Sequence, residues 1–150
     1  MRTYILLIIC ILINGCKNDF IECLDLKYDE QKKITYLNNK KYSGYCKSFY
    51  RNDTLRTERF YVDGKDHGVW YFYFPNGKIQ TEGNFNLGVK IGTWSYYHHN
   101  GEIKIRGNYN SIGNRIGLWQ EFNDNGKLQS FKEYDNNGKI IRHEEYYLSQ

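Results

Sequence analysis

The sequence predicts an all-β fold: an elongated, twisted antiparallel sheet of stacked β-hairpin repeats. Three observations predict it. The triplets Gly68-Val69-Trp70, Gly92-Thr93-Trp94 and Gly117-Leu118-Trp119 recur at intervals of 24 and 25 residues, and two features at one fixed period define a repeat. The second feature is an Asn-Gly pair following each triplet, at Asn76-Gly77, Asn100-Gly101 and Asn125-Gly126. The third is composition: 15 Tyr, 8 Phe and 3 Trp make up 17% of the 150 residues, with 14 Gly, one Pro and no Ala. That mixture describes short strands joined by Gly and Asn turns.

Taken in order, residues 32–37 are apolar enough at Ile34 and Tyr36 for an entering strand that closes the edge of the first repeat. The first copy is degenerate. Gly44-Tyr45-Cys46 takes the place of Gly-x-Trp, Asn52-Asp53 replaces Asn-Gly, and residues 55–61 return. Terminal units meet solvent on one side, so departure from the consensus is expected there. The second copy pairs residues 69–74 and 78–85 across Pro75-Asn76-Gly77, where Pro presets φ early in the turn and Gly takes the left-handed position. Residues 86–91 read as a connection to the third copy, which turns at His99-Asn100-Gly101 and returns over residues 103–109. The fourth contains Trp119, Phe122, Leu128 and Tyr134, with one extra residue near 110–112 that belongs in a loop. Residues 138–148 then form a charged last strand, a cap that blunts the sheet edge.

Stacking the copies aligns columns: Trp70, Trp94 and Trp119; Phe49, Tyr73, Tyr97 and Phe122; Leu55, Ile79, Ile103 and Leu128; Tyr61, Phe85, Tyr109 and Tyr134. One hairpin cannot bury its own face, whereas several in series share an aromatic row. The array is the stable unit.

The N-terminus carries the address. Arg2 precedes an apolar run over residues 4–13, too short to span a bilayer as a mature helix, and Gly15 stands directly before Cys16. Ile13-Asn14-Gly15-Cys16 resembles the lipobox of bacterial lipoproteins. That resemblance implies a signal peptide at 1–15, a lipidated Cys16, and a polar tether over 16–31 before a repeat domain at 32–150. Acyl chains hold a protein to a membrane at about 0.8 kcal/mol per buried methylene. Lys17 after the Cys is similar to outer-membrane lipoproteins of Gram-negative bacteria, so the expected location is the cell envelope, lipid-anchored at the outer membrane, with the leaflet open. Cys23 and Cys46 remain in an oxidising space, either as one disulfide or as two free thiols.

Tyr61-x-Asp63-Gly64-x-x-x-Gly68-x-Trp70-x-x-Tyr73-x-x-Asn76-Gly77-Lys78 is similar to the MORN repeat variant of YwqK-like proteins, and the resemblance extends over about residues 42–141. It implies hairpins stacked into a twisted antiparallel sheet that serves as a binding scaffold, with no cofactor and no catalytic centre. Many YwqK-like proteins carry an antitoxin label, which implies a cytoplasmic toxin partner. A secreted, lipidated chain departs from that.

Candidate chemistry is sparse. His98 and His99 are adjacent, so on a strand they point to opposite faces, and no third His or Cys has ligand spacing; no metal is expected. Asp66-His67 and His143-Glu144-Glu145 have no nucleophile motif to serve and read as solvated charges. No Gly-x-x-x-x-Gly-Lys cradle supports nucleotide binding. The net charge of +4 is spread along the chain without a basic face, so nucleic acid is not an expected partner. Asp53-Thr54-Leu55 resembles the acceptor sequence for bacterial O-glycosylation. The aromatic columns carry two readings, a core or an open contact surface, and Trp70, Phe72, Trp94, Tyr96 and Trp119 form the candidate binding face. The expected function is a non-enzymatic, membrane-anchored scaffold for an envelope protein or a glycan. The alternatives are an antitoxin-like protein and an envelope enzyme acting on glycan or lipid.

Overall fold

The computed structural model describes residues 20–146. The expected signal at 1–15, the expected lipidation site Cys16 and the last residues of the expected cap lie outside them. Strands β1 (Phe20–Glu22), a 3-10 turn (Cys23–Asp25), β2 (Lys27–Asp29), β3 (Ile34–Leu37) and β4 (Lys40–Lys41) precede the repeats. The repeats supply β5 (Gly44–Phe49), β6 (Leu55–Val62), β7 (Lys65–Tyr73), β8 (Ile79–Asn86), β9 (Val89–Tyr97), β10 (Ile103–Tyr109), β11 (Arg115–Phe122), β12 (Leu128–Tyr134) and β13 (Ile140–Glu145).

The main sheet is ten-stranded, in the order β1-β5-β6-β7-β8-β9-β10-β11-β12-β13. It is long, twisted and open. From β5 onward it is a continuous antiparallel meander; β1 adds to β5 in parallel, through Ile21 opposite Cys46. The expected fold class therefore holds, with two local changes. Residues 20–31, read as part of a polar tether, carry two strands, because apolar Phe20, Ile21 and Leu26 and a Cys23–Cys46 disulfide tie them to the first repeat. Residues 34–37 close no edge of the main sheet; they pair with β2 and β4 in a separate three-stranded sheet. That small sheet hooks onto the β6–β7 turn through Thr35 N–H to Gly64 O at 2.8 Å and Gly64 N–H to Tyr42 O at 2.7 Å.

Two kinds of turn alternate. At the Asn-Gly end, the N–H of Phe74, His98 and Asn123 donates to the carbonyl four residues on, and Gly77, Gly101 and Gly126 take left-handed φ of 81°, 93° and 77°. In the first copy Asp53 fills that slot at φ 59°. At the other end, the expected connection over 86–91 is instead a two-residue turn at Leu87-Gly88, both with positive φ, so β9 begins at Val89. The copies are not hairpins on linkers; each strand from β5 to β12 pairs on both sides. The inserted residue lies where a loop was expected, in a longer turn from Asn110 to Asn114.

The Gly-x-Trp triplet is a bulge. Glu82 pairs with Ser95 and Asn84 with Ile91, so Gly92, Thr93 and Trp94 together stand opposite Gly83. The same shift sets residues 68–70 opposite Arg59 and 117–119 opposite Gly107. Gly92 takes φ +64°, which aims the indole back over the neighbouring strand. Each indole N–H reaches that strand: Trp70 to Phe60 O at 3.3 Å, Trp94 to Asn84 O at 3.3 Å, Trp119 to Asn108 O at 3.1 Å. The Tyr61 column interleaves with the indoles in one row, Tyr42, Tyr61, Trp70, Phe85, Trp94, Tyr109, Trp119 and Tyr134, whose successive centroids lie between 4.7 and 6.5 Å apart. This row, with Cys46, is the core.

Candidate binding face and cleft

The five residues of the candidate face share one face of the sheet. Trp70 pairs opposite Gly83 and Phe72 opposite Thr81, while Thr81 pairs with Tyr96 and Gly107 with Trp94; Trp119 follows in the same register. Tyr71 and Tyr97 fall on the opposite face. Sharing a face does not expose them all. Trp70, Trp94 and Trp119 are only 8%, 3% and 5% accessible, so the indoles are core and offer a partner almost no surface. The reason is the bulge: each ring lies flat on the next strand, and a Cβ built on Gly83 would fall 2.1 Å from Trp94 Cδ2. A cation covers the exposed side, Lys90 Nζ at 4.1 Å from the Trp94 centroid and the Arg115 guanidinium at 4.3 Å from that of Trp119. Phe72 and Tyr96 are half-buried and remain available.

The first copy breaks this pattern at three positions. Cys46 stands in the indole column, fully buried, and its disulfide to Cys23 occupies the space of a ring. Arg59 stands where later copies have Gly83 and Gly107, and its guanidinium lies 4.7 Å from the Trp70 centroid and 5.2 Å from that of Phe72. Asp66 stands where later copies have Lys90 and Arg115. The small sheet roofs this end, enclosing a cleft of about 340 Å³ lined by Cys23, Leu26, Tyr28, Thr35, Arg59, Tyr61, Asp66 and Trp70. Asp66, read from sequence as a solvated charge, is partly buried; burial pushes its carboxyl up to about 6, against the opposing pull of Arg59. Burial likewise raises the Tyr61 hydroxyl. Sequence reading passed over Arg59, Tyr28 and Thr35. The aligned columns held a signal for Arg59, since its register is Gly83 and Gly107 in the two middle copies and large only at the ends, as Arg59 and Lys132.

The opposite face carries exposed Tyr45, Val69 and Leu118 and is linked across strands by hydroxyl–carboxylate bonds. Tyr73 donates to Glu58 at 2.7 Å and Tyr97 to Glu82 at 2.6 Å. Burial raises the Glu58 carboxyl, but Lys47 at 2.7 Å and the Tyr73 hydroxyl outweigh it and hold the group below its usual range. His99 stacks on Phe74 at 3.9 Å, and His98 Nε2 lies 2.9 Å from Phe122 O. Both His therefore act within hairpin tips. His143 pairs with Glu145 at 3.3 Å, and Arg142 pairs with Glu144. Among the described residues, no group of three or more His, Cys, Asp or Glu is placed to hold a metal ion.

The model of the MORN repeat variant matches at residues 66–87, 90–111, 115–130 and 130–147, more than half of the chain. The chain belongs to the MORN repeat variant family. The matches fall on β7 through β13, so the last strand, β13, expected as a cap, lies within the MORN array, while the degenerate copy at β5–β6 is not matched. Among solved structures, a mutant of TarM from S. aureus in complex with Fondaparinux, alpha-GlcNAc-glycerol and UDP is similar at TM-score 0.39 and 15% identity. A second TarM crystal structure gives TM-score 0.39 and 14% identity. Each alignment covers 79% of this chain and 21% of TarM, so the MORN array spans about a fifth of that protein's length. No curated protein matches the chain.

Proposed function

We propose that this MORN array is a non-enzymatic scaffold that binds a protein partner and is held to an envelope membrane through lipid on Cys16. The observation that supports binding is the uncovered sheet. Among the described residues, the three-stranded sheet and the 3-10 turn before it lie over the ten-stranded sheet, and they cover its end near β5 to β7. Beyond that roof, Phe72 and Tyr96 are half-buried on the indole face, with Ile105 beside them packed against the core. Aromatic side chains held rigidly by a sheet bind at low entropic cost. The lipobox-like Ile13-Asn14-Gly15-Cys16 supports the anchor.

The test is crosslinking of the tagged protein in intact cells, with Cys16 and with Cys16→Ala, followed by identification of what is attached. A protein captured only when Cys16 is present supports both halves of the proposal. Tyr96→Glu should abolish that capture, and Val69→Glu, on the opposite face, should preserve it. No captured protein in either form would overturn the proposal and redirect attention to glycans.

A further inference from the structure

We propose that the cleft under the small sheet is a binding site for a small zwitterion, a free α-amino acid with an apolar side chain, whose carboxylate meets Arg59 and whose ammonium meets Asp66. The proposal does not rest on the scaffold reading. It rests on four features of one place in the fold.

First, Arg59 brings a guanidinium to a register where the next two copies hold Gly83 and Gly107, and its side chain lines the cleft. A guanidinium at a partly enclosed site has an anionic oxygen as its strongest partner. Second, Asp66 lies in the same cleft, where no side-chain hydrogen bond reaches its carboxylate from the described residues. Its elevated pKa reports the same lack of compensation for burial. Third, the two groups interact through space without meeting as an ion pair, and both line one cleft of about 340 Å³. A ligand whose carboxylate and ammonium sit on one carbon satisfies both at once. Fourth, the remaining lining separates into an apolar part, with Leu26, the Cys23–Cys46 disulfide and the 58% exposed Tyr28 ring at the rim, suited to an aliphatic or aromatic side chain. Trp70 is not available for stacking, because Arg59 lies over its ring and Tyr61 and Phe85 lie against it.

The site also has a built frame. Thr35 is buried and bonded through its backbone to Gly64, and the disulfide fixes the opposite wall, so the two charged side chains are held on paired strands under a fixed roof.

The experiment is calorimetric titration of the chain from residue 16, with its disulfide intact, using L-leucine, L-phenylalanine, N-acetyl-L-phenylalanine, L-phenylalanine methyl ester and methyl β-D-glucoside as probes. One or both free amino acids are expected to bind. Blocking either the ammonium or the carboxylate should weaken binding on the order of tenfold or more, as loss of a charge-assisted hydrogen bond implies. Asp66→Asn, nearly isosteric, should weaken the free amino acid by a similar factor and leave the N-acetyl derivative unchanged. Arg59→Gln should mirror it with the methyl ester. Should Arg59→Gln fail to fold, Asp66→Asn and the blocked ligands decide the matter. No binding of either amino acid at millimolar concentration, equal binding of blocked and free forms, or the glucoside binding as tightly as the amino acids would each overturn the proposal.

Discussion

Gly83→Ala isolates the reason for the repeat's form. Gly83 lies within β8, where replacing Gly by Ala ordinarily stabilises a chain by roughly 0.5–1 kcal/mol, by restricting the unfolded state. The structure predicts the opposite sign. A Cβ at Gly83 would stand 2.1, 2.2 and 2.5 Å from three ring carbons of Trp94, and a buried indole between Phe85 and Tyr109 has nowhere to retreat. Overpacking of this kind costs about 1–3 kcal/mol or more, and displacing the ring also forfeits its N–H bond to Asn84 O, worth about 1 kcal/mol. A net destabilisation of about 3 kcal/mol is expected. For a chain of 150 residues each kcal/mol lowers Tm by about 2–4 °C, so Tm should fall by roughly 6–12 °C. Urea titration followed by tryptophan fluorescence and by far-UV circular dichroism measures it. The double variant Gly83→Ala/Trp94→Ala should be less destabilised than the sum of the singles by more than about 1 kcal/mol, since without the indole the new methyl meets no obstacle. Gly92→Ala is the control: no atom lies within 4 Å of its Cβ, so it should lose only about 1 kcal/mol through its φ of +64°. A Gly83→Ala protein as stable as the parent would refute the bulge-and-lid account of the Gly-x-Trp motif.

Three further outcomes are expected. Trp94→Ala, in the middle of the aromatic row, should cost about 3–5 kcal/mol, whereas Tyr45→Ala, 55% exposed on the opposite face, should lower Tm far less; equal shifts would contradict the row as core. Reducing the Cys23–Cys46 disulfide, which spans 23 residues, should destabilise the chain by about 3 kcal/mol, read as the drop in urea midpoint with reductant and absent in Cys23→Ser/Cys46→Ser. The Asp66 carboxyl titrates higher folded, at about 6, than its usual 3.8, so its favourable contribution is complete below pH 3.8 and is lost as pH rises through 6. Asp66→Asn should therefore gain stability relative to the parent between about pH 4 and 7, by about 1–2 kcal/mol after allowance for solvent screening, and a parent–variant difference independent of pH would count against the burial of that carboxyl.

The repeat itself was legible because its causes are local. Gly at the left-handed positions of the Asn-Gly turns, alternating aromatics and a constant period each act within a hairpin, so the all-β sheet, the aligned columns and the loop placement of the extra residue could be read without coordinates. The alternation of faces likewise placed Trp70, Phe72, Trp94, Tyr96 and Trp119 together. Only the tertiary structure decided which of these are buried, because exposure depends on what the facing strand carries. Gly83 and Gly107 let the indoles lie flat, and that contact is invisible in a pattern of polar and apolar letters. The cleft was hidden for a related reason. Arg59 and Asp66 are ordinary charges in sequence, and they line a cleft only because the chain before the repeats, pinned by a disulfide, folds into a second small sheet that partly shields them from water. Local periodicity specified the array; long-range packing decided where its regularity ends and a pocket begins.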